Sequence, residues 1–576
     1  LQKGDYNLSK NEGEILWKKK LFFKVEKEAD LHSLIDKLQS DTAITRHHPR
    51  FIIVTDWQTL LAVDTRIDDS LDIPIQDLAK HFDFFLPWAG MEKSQIQSER
   101  LADIKAAERM GRLYDLILED NPVENEADRH GLNIFLSRLL FCFFAEDTGI
   151  FSDALFTNGI ASHTADDGSD LQPYLQKLFT VLNSKERSEY PNFLQTFPYV
   201  NGGLFAEEYP VPVFNKKSRK IIIECGALNW KQINPDIFGS MMQAVVHTEQ
   251  RSSMGMHYTS VANIMKVIEP LFLDDLRKEL DKAGDNEKKL EKLLQRLYHL
   301  RIFDPACGSG NFLIITYKEI SRIEIEVYRR LNAIRKTGGL VLKSNISLSQ
   351  FYGIELDDFA AETAKLSLWL AEHQMNQEFK EVFGDARPTL PLQDSGHIVC
   401  DNAANLDWSD VCPKSEVSEI YVLGNPPYLG ARNQSKNQKE DVRRILGHIK
   451  GSNNLDYIAC WFYLVAEYIK GTSSKSAFVS TNSITQGVQV SMLWPHILHG
   501  LEIGFAYTSF KWANSAKANA GVTCVIVGLR SVSKRQKYIF HGERAQSVNH
   551  INAYLLNVND IYIQNRRSPL SNLPSI

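Results

Sequence analysis

The residues with the clearest chemical capacity are Asn425, Pro426, Pro427 and Tyr428, in the stretch LGNPPYLG over 423–430. Two consecutive prolines fix φ and carry no backbone N–H, so the stretch is a loop rather than part of a helix or sheet interior. The residue before a proline is driven extended. That turns the Asn425 amide oxygen and the free carbonyls outward as acceptors, with the Tyr428 ring beside them. Such a loop can accept both hydrogens of a planar exocyclic amine while the ring stacks on the base that carries it. A second stretch, DPACGSGNF over 304–312, has Gly308 and Gly310 where a backbone could approach a ligand closely. It has neither the G-x-x-x-x-G-K-[ST] of a phosphate-cradling ATP loop nor the third glycine of the dinucleotide fingerprint. By itself the G-x-G is as compatible with a tight turn as with a site.

The elements around these stretches are short strands alternating with helices. Arg301–Phe303 reads as a strand that runs through the glycine turn into a helix reaching about Arg335, the arrangement with which an α/β domain binds an adenosine-containing cofactor. Phe351–Leu356 is the next strand, with Glu355 at its end to meet ribose hydroxyls. His397–Ala403 reads as a third strand ending in Asp401 and Asn402, placed for an adenine amino group. Ser418–Leu423 is a fourth, delivering the NPPY loop. All four candidate groups then lie at carboxyl ends of strands, where open α/β sheets bind ligands.

The remaining chain is organised differently. With 576 residues, three or four domains are expected. Phe51–Asp64 suggests two strands around a turn at Asp56, preceded by a lysine-rich stretch at 16–30. Carboxylates and lysines near strands raise a metal-dependent nuclease core, but the expected Glu-x-Lys is absent, because Glu26 and Glu28 flank Lys27. A basic surface on a small α/β domain and a nuclease remnant or fragment are both compatible with this segment. Apolar residues at helical spacing from Leu101, a strongly apolar helix at Leu132–Glu146 and another at Asp236–Val246 read as a helical spacer. The seven scattered cysteines form no C-x-x-C, which argues against a disulfide framework or a zinc site and fits a reducing cytoplasm. No run of about 18 apolar residues suggests a membrane span.

DPACGSGNF, then Ile354-Glu355-Leu356, then NPPY, in that order, resemble an S-adenosyl-L-methionine-dependent DNA N6-adenine methyltransferase. The upstream Gly255–Ser260, GMHYTS, resembles the segment that caps the methionine end of the cofactor, and its position first in the order is that of the γ class. The longer NPPYLGARNQSKNQK (425–439), NGGLF (201–205) and INPDIFGSMMQAVV (233–246) resemble the type IIL, MmeI-like, single-chain restriction–modification proteins. The resemblance implies a Rossmann-like methyltransferase domain, a helical spacer and a small N-terminal α/β domain. It implies a cofactor site of His257, Tyr258, Thr259, Asp304, Ala306, Gly308, Gly310, Asn311, Phe312, Glu355, Leu356, Asp401, Asn402 and Asn425, with no metal. It further implies methyl transfer to adenine N6 of double-stranded DNA at Asn425, Pro426, Pro427 and Tyr428. The domains expected are 1–98, 99–250 (spacer), 251–535 (methyltransferase) and 536–576, where a target-recognition region would begin and where Ile551–Ile563 reads as strands of another domain.

With a net charge of −6, any DNA contact must be local. Residues 432–450 carry Arg432, Lys436, Lys439, Arg443, Arg444 and Lys450 against Glu440 and Asp441, beside the NPPY loop. This run is read as a phosphate-binding face, although a charge run is more commonly a solvated surface. Phe510 or Trp512 is the candidate ring for the far face of an extruded base, an ordinary core role being the alternative for each. Three rival readings remain: an amino-methyltransferase acting on protein glutamine or RNA guanine, a DNA-binding subunit with an inactive loop, and a bifunctional endonuclease–methyltransferase with an active N-terminal nuclease.

Overall fold

The computed structural model describes residues 7–9, 11, 13–18, 20–27, 30–65, 69–78, 84–85, 101–200, 203–230, 261–335, 343–384, 396–415, 417–511, 523–542 and 544–563. The chain divides into two compact units, Leu1–Ser98 and Glu99–Ile576.

The N-terminal unit is built on a five-stranded sheet in sequential order: β1 (Glu14–Trp17), β2 (Leu21–Val25), β3 (Phe51–Thr55), β4 (Thr59–Asp64) and β5 (Asp69–Pro74). Only β2 and β3 pair in parallel, because the helix Leu31–Ser40 crosses between them. β3 (FIIVT) is buried along its whole length, its alternate residues feeding separate cores on the two faces. Asp56 makes the β3–β4 turn by accepting the N–H groups of Gln58 and Thr59 at 2.8 and 2.6 Å. Buried Asp64 is paired with Arg50 at 3.2 Å. Among the described residues, no group of three or more His, Cys, Asp or Glu is placed to hold a metal ion.

The second unit opens with helices. Leu101–Asp120 ends where Asn121-Pro122 removes the next helical donor. Glu126–Asp147 is capped by Asn125 and buried on all sides over residues 131–146, so its apolar run is a core helix. No helix among the described residues is long and apolar enough to cross a membrane. The predicted helix at 236–246 lies outside the described residues.

The rest folds around a nine-stranded sheet, formed by β6 (Leu300–Asp304), β7 (Phe351–Glu355), β8 (His397–Cys400), β9 (Glu419–Gly424), β10 (Lys475–Thr481), β11 (Leu501–Lys511), β12 (Thr523–Ser531), β13 (Lys537–His541) and β14 (Arg544–Val548). Its order is β14-β13-β11-β12-β10-β9-β6-β7-β8. The pairs β8–β7, β7–β6, β6–β9 and β9–β10 are all parallel, and β12 runs antiparallel between β10 and β11. Along β9, Tyr421 and Leu423 face one core while Ile420 and Val422 face the other, as period-two alternation requires of a strand covered on both sides.

The chain winds outward in opposite directions from β6 and β9. Their shared boundary is therefore the topological switch point, where a crevice opens beyond the carboxyl ends of the strands. The sheet also continues past residue 535: β13 pairs in parallel with β11 through Phe505–Tyr538 and neighbouring residues, and β14 closes a hairpin on β13. Residues 551–563, expected as strands of a following domain, form turns and irregular chain with none. Asn552 organises that segment locally by accepting the N–H groups of Tyr554 and Leu556.

Candidate functional site at the switch point

Asp304 is the last residue of β6 and is fully buried. Its Oδ1 accepts the Ala306 N–H at 3.0 Å, while its Oδ2 has no hydrogen-bond partner among the described residues. Burial pushes this carboxyl up to about 8, with a smaller push in the same direction from the charge of Glu355. Directly alongside lies Gly424, the last residue of β9. Its φ is +149°, and a Cβ there would collide with Asp304 Oδ1. Glycine is required here because the carboxylate of one strand end is packed against the backbone that launches Asn425.

After Asp304 the glycine turn is held by Gly310 N–H to the Cys307 carbonyl at 2.8 Å and Cys307 N–H to the Ile354 carbonyl at 3.0 Å. Gly310 has φ +85° and sits against Ala364 on the neighbouring helix, whereas Gly308 has open space in front of it. Glu355, at the end of β7, closes the cradle. Its Oε2 accepts the Gly308 N–H at 2.8 Å and its Oε1 the Asp357 N–H at 2.9 Å. Burial raises its pKa against those two hydrogen bonds. Beside it Leu356 is 66% exposed, an apolar surface at the rim of a polar cradle. Asp401 follows β8, its N–H donating to the Glu355 carbonyl and its own side chain exposed. An unpartnered buried carboxylate oxygen, a glycine facing open space, a strand-end carboxylate and an exposed leucine are a donor and surface set that fits an adenosine-bearing cofactor.

Some predicted residues sit differently. Phe312 is buried in the core, and Asn311 opens the following helix with its Oδ1 buried and unpartnered among the described residues. The Asn402 side chain is taken up within the protein: Oδ1 accepts the Ala404 N–H at 2.9 Å and Nδ2 donates to Asp441 Oδ2 at 3.1 Å. Asp401 is thus the more accessible of that pair. His257, Tyr258, Thr259 and Trp512 lie outside the described residues.

The NPPY loop leaves β9 and is fixed at its far end by polar groups that the sequence reading passed over. Asp456 Oδ1 accepts the Leu429 N–H at 2.8 Å, and Tyr457 N–H donates to the Leu429 carbonyl at 3.0 Å. Buried Gln434 donates to the carbonyls of Leu429 and Leu455, both at 3.0 Å. The same short segment reaches the other two loops. The Tyr457 hydroxyl donates to Asp441 Oδ2 at 2.8 Å, which also receives Asn402, and Trp461 Nε1 donates to the Pro305 carbonyl at 3.1 Å. One turn of chain, Asp456–Trp461, therefore braces the glycine turn, the Asn402 loop and the NPPY loop together. The available sequence signal was a polar pair opening an otherwise apolar helix, DYIACW.

The Tyr428 ring packs against the core that receives Ile420 and Val422, and burial drives its hydroxyl pKa upward; the Cys524 thiol beside it contributes, and burial also pushes that thiol up to about 12. Phe510 pairs with the same Cys524 across β11 and β12. Its ring, however, packs on the core that receives Tyr421 and Leu423, with Lys266 Nζ 5.7 Å above it. The two rings thus belong to cores on opposite faces of the sheet.

Among the basic residues, the helix Lys436–Leu446 is capped by a Ser435–Gln438 box and buries Asp441, Val442 and Leu446. Lys436, Lys439 and Arg443 fall on its exposed side at three- and four-residue spacing, with Arg432 exposed just before it. Arg444 is committed differently, pairing with Asp441 at 2.6 Å and donating to the Ala404 carbonyl at 3.1 Å.

The sheet order, the switch-point cradle and the acceptor loop define a Rossmann-like methyltransferase domain carried with a helical spacer and a small α/β unit. Three models of one family match the chain: "MmeI, N-terminal domain" over 1–120, "MmeI, helicase spacer domain" over 130–205 and "MmeI, DNA-methyltransferase domain" over 280–541. The chain is 50% identical over 580 residues to DNA methyltransferase A of Bacillus subtilis (strain 168), covering 100% of this chain and 66% of that protein. The solved structure of the type IIL restriction-modification enzyme MmeI in complex with DNA superposes with a TM-score of 0.77 at 41% identity, over 82% of this chain and 64% of that one. The chain belongs to the MmeI family. It spans somewhat less than two-thirds of the length of either relative.

Proposed function

We propose that the chain is a site-specific DNA methyltransferase of a restriction–modification system, transferring a methyl group from S-adenosyl-L-methionine to adenine N6 in double-stranded DNA. The observation that carries this reading is the convergence of the NPPY loop and the glycine turn at one switch point, where Gly424 and Asp304 touch. Cytoplasmic location is part of the same proposal, since that is where such a system meets its DNA.

When bound, S-adenosyl-L-methionine supplies a methyl group already activated on a positive sulfur. Glu355 would hold the ribose hydroxyls, Asp401 the adenine amino group, and the open backbone at Gly308 the nearby body of the cofactor. The task left to the protein is to make a poor nucleophile reactive, because the N6 lone pair is delocalised into the ring. The Asn425 side chain and the Pro426 carbonyl accept the two N6 hydrogens, which favours a pyramidal nitrogen and stabilises positive charge that grows only in the transition state. Acceptors fixed in advance by two prolines and by the brace at Leu429 need no rearrangement as that charge develops. Fixing the amine against the methyl supplies much of the remaining acceleration. The base must first leave the helix, at a cost of a few kcal/mol, with Tyr428 stacking on one face. Arg432, Lys436, Lys439 and Arg443 form the adjoining phosphate contact.

Asn425→Ala tests the assignment. Transfer to duplex DNA is expected to disappear while cofactor affinity by calorimetry stays within a few-fold, because the lost contact belongs to the transition state. An equal loss of cofactor affinity would overturn it.

A further inference from the structure

A groove of about 930 Å³ lies at the end of the sheet away from Asn425. It is lined by the first residues of β9 and β10, Glu419 and Lys475, by the end of β12 at Arg530, and by the helices Asp274–Ala283 and Glu287–Tyr298. Glu419 and Gly424 bound the six residues of β9. At about 3.3 Å per residue, the groove and Asn425 are roughly 20 Å apart along the strand and at its opposite ends, so the groove is a separate site from the one at Asn425.

Five lysines and three arginines line it, against three carboxylates, within a chain whose net charge is −6. Every one of those carboxylates is already occupied. Asp275 pairs with Lys475 at 3.6 Å and with Arg535 at 3.5 Å, while Glu279 and Glu419 both hold Arg296, at 2.6 and 2.8 Å. Lys278, Lys282, Lys289 and Lys292 have no carboxylate within 4 Å among the described residues. Their placement follows from helix periodicity. Leu276 and Leu280 on one helix, and Leu290, Leu293 and Leu297 on the other, are buried in the core, which turns the lysine rows to the groove. Lys278 and Lys282, four residues apart, stand about 6 Å apart along one helix axis, and Lys289 and Lys292, three apart, about 4.5 Å along the other. Two such rows, with Lys475 at the sheet, make an extended strip suited to a chain of charges rather than a single anion. Tyr538, 36% exposed, adds a hydroxyl that can donate to a phosphate oxygen.

We propose that this groove binds a phosphodiester backbone, as a sequence-independent nucleic-acid contact separate from the one at the NPPY loop. The contact engages a second DNA segment or a distant part of a long duplex. It does not depend on the chemistry at Asn425, and the methylation readout below keeps the two readings apart.

The test is binding of the whole chain to a long duplex across a salt series, with Lys278→Gln/Lys282→Gln/Lys289→Gln/Lys292→Gln beside the parent chain. Each phosphate contact removed should flatten the plot of log affinity against log salt by about 0.9. The quadruple variant should therefore lose between about three and four from the slope, while methylating a short duplex at the parent rate. In the unaltered chain the same lysines should be protected from acetylation by the long duplex, as read by mass spectrometry. An unchanged slope, or acetylation equal with and without DNA, overturns the proposal. So does protection by polyglutamate or tripolyphosphate but not by DNA, which would make the groove a site for an acidic segment or a small anion.

Discussion

Replacing Asp456 isolates what the brace contributes. The Asp456 carboxylate accepts the Leu429 N–H at 2.8 Å and the Ile458 N–H at 3.3 Å, and it is buried. Asp456→Ala leaves the Leu429 donor, one residue beyond Tyr428, without its charged acceptor. Hydrogen bonds to charged groups contribute roughly 1.5–3 kcal/mol. If that energy holds the loop in the geometry needed at the transition state, kcat should fall by about ten- to a hundred-fold, with the melting temperature lowered by several degrees. Asp456→Asn keeps an acceptor oxygen at the same place and loses only the charge, so it should retain most of the activity. Cofactor affinity should change little in either variant, because Asp456 touches the NPPY loop and not the glycine turn. The assay is single-turnover methyl transfer beside calorimetric cofactor binding. An Asp456→Ala chain that is folded and unaltered in kcat would refute the brace, and so would an Asn variant as impaired as the Ala variant.

Tyr457→Phe removes the donor to Asp441 that backs the Asn402 loop, so cofactor affinity should weaken about five-fold with kcat less affected; calorimetry showing the opposite split would contradict that role. Gly424→Ala forces a Cβ against Asp304 at a positive φ, and together strain and overpacking should cost about 3 kcal/mol; an unchanged thermal midpoint would contradict the packing described. In the spacer, burial lifts the Glu146 pKa from 4.5 to about 7 despite hydrogen bonds from Thr157. The native state holds that proton through a window in which the unfolded chain has lost it, so stability falls as pH rises from about 4.5 to 7, by roughly 3 kcal/mol. Glu146→Gln should flatten that slope in urea unfolding, and an unaltered slope would assign the pH dependence elsewhere.

The sheet strands around the site were legible because each ends in a residue type with a reason to be there. Asp304 precedes a glycine turn, Glu355 stands before a helix cap, and Gly424 stands before two prolines. The expected strand at 418–423 is observed as Glu419–Gly424, and the one at 351–356 as Phe351–Glu355. The brace was not legible, because Asp456, Tyr457 and Trp461 act through partners between 16 and 156 residues away. Local pattern carries no information about such contacts. Asp441 was counted as a charge diluting a basic run, yet it is a buried acceptor for three donors. The strands expected after 551 failed for the opposite reason: alternating apolar residues need a neighbouring strand, and none is present there among the described residues.

Methyl transfer to adenine is measured most directly with tritiated S-adenosyl-L-methionine and duplex DNA, the labelled product being digested to nucleosides and identified. Label is expected in N6-methyladenine alone, and Asn425→Ala should abolish it. Label in cytosine, in RNA or in protein, or transfer that survives Asn425→Ala, would contradict that expectation.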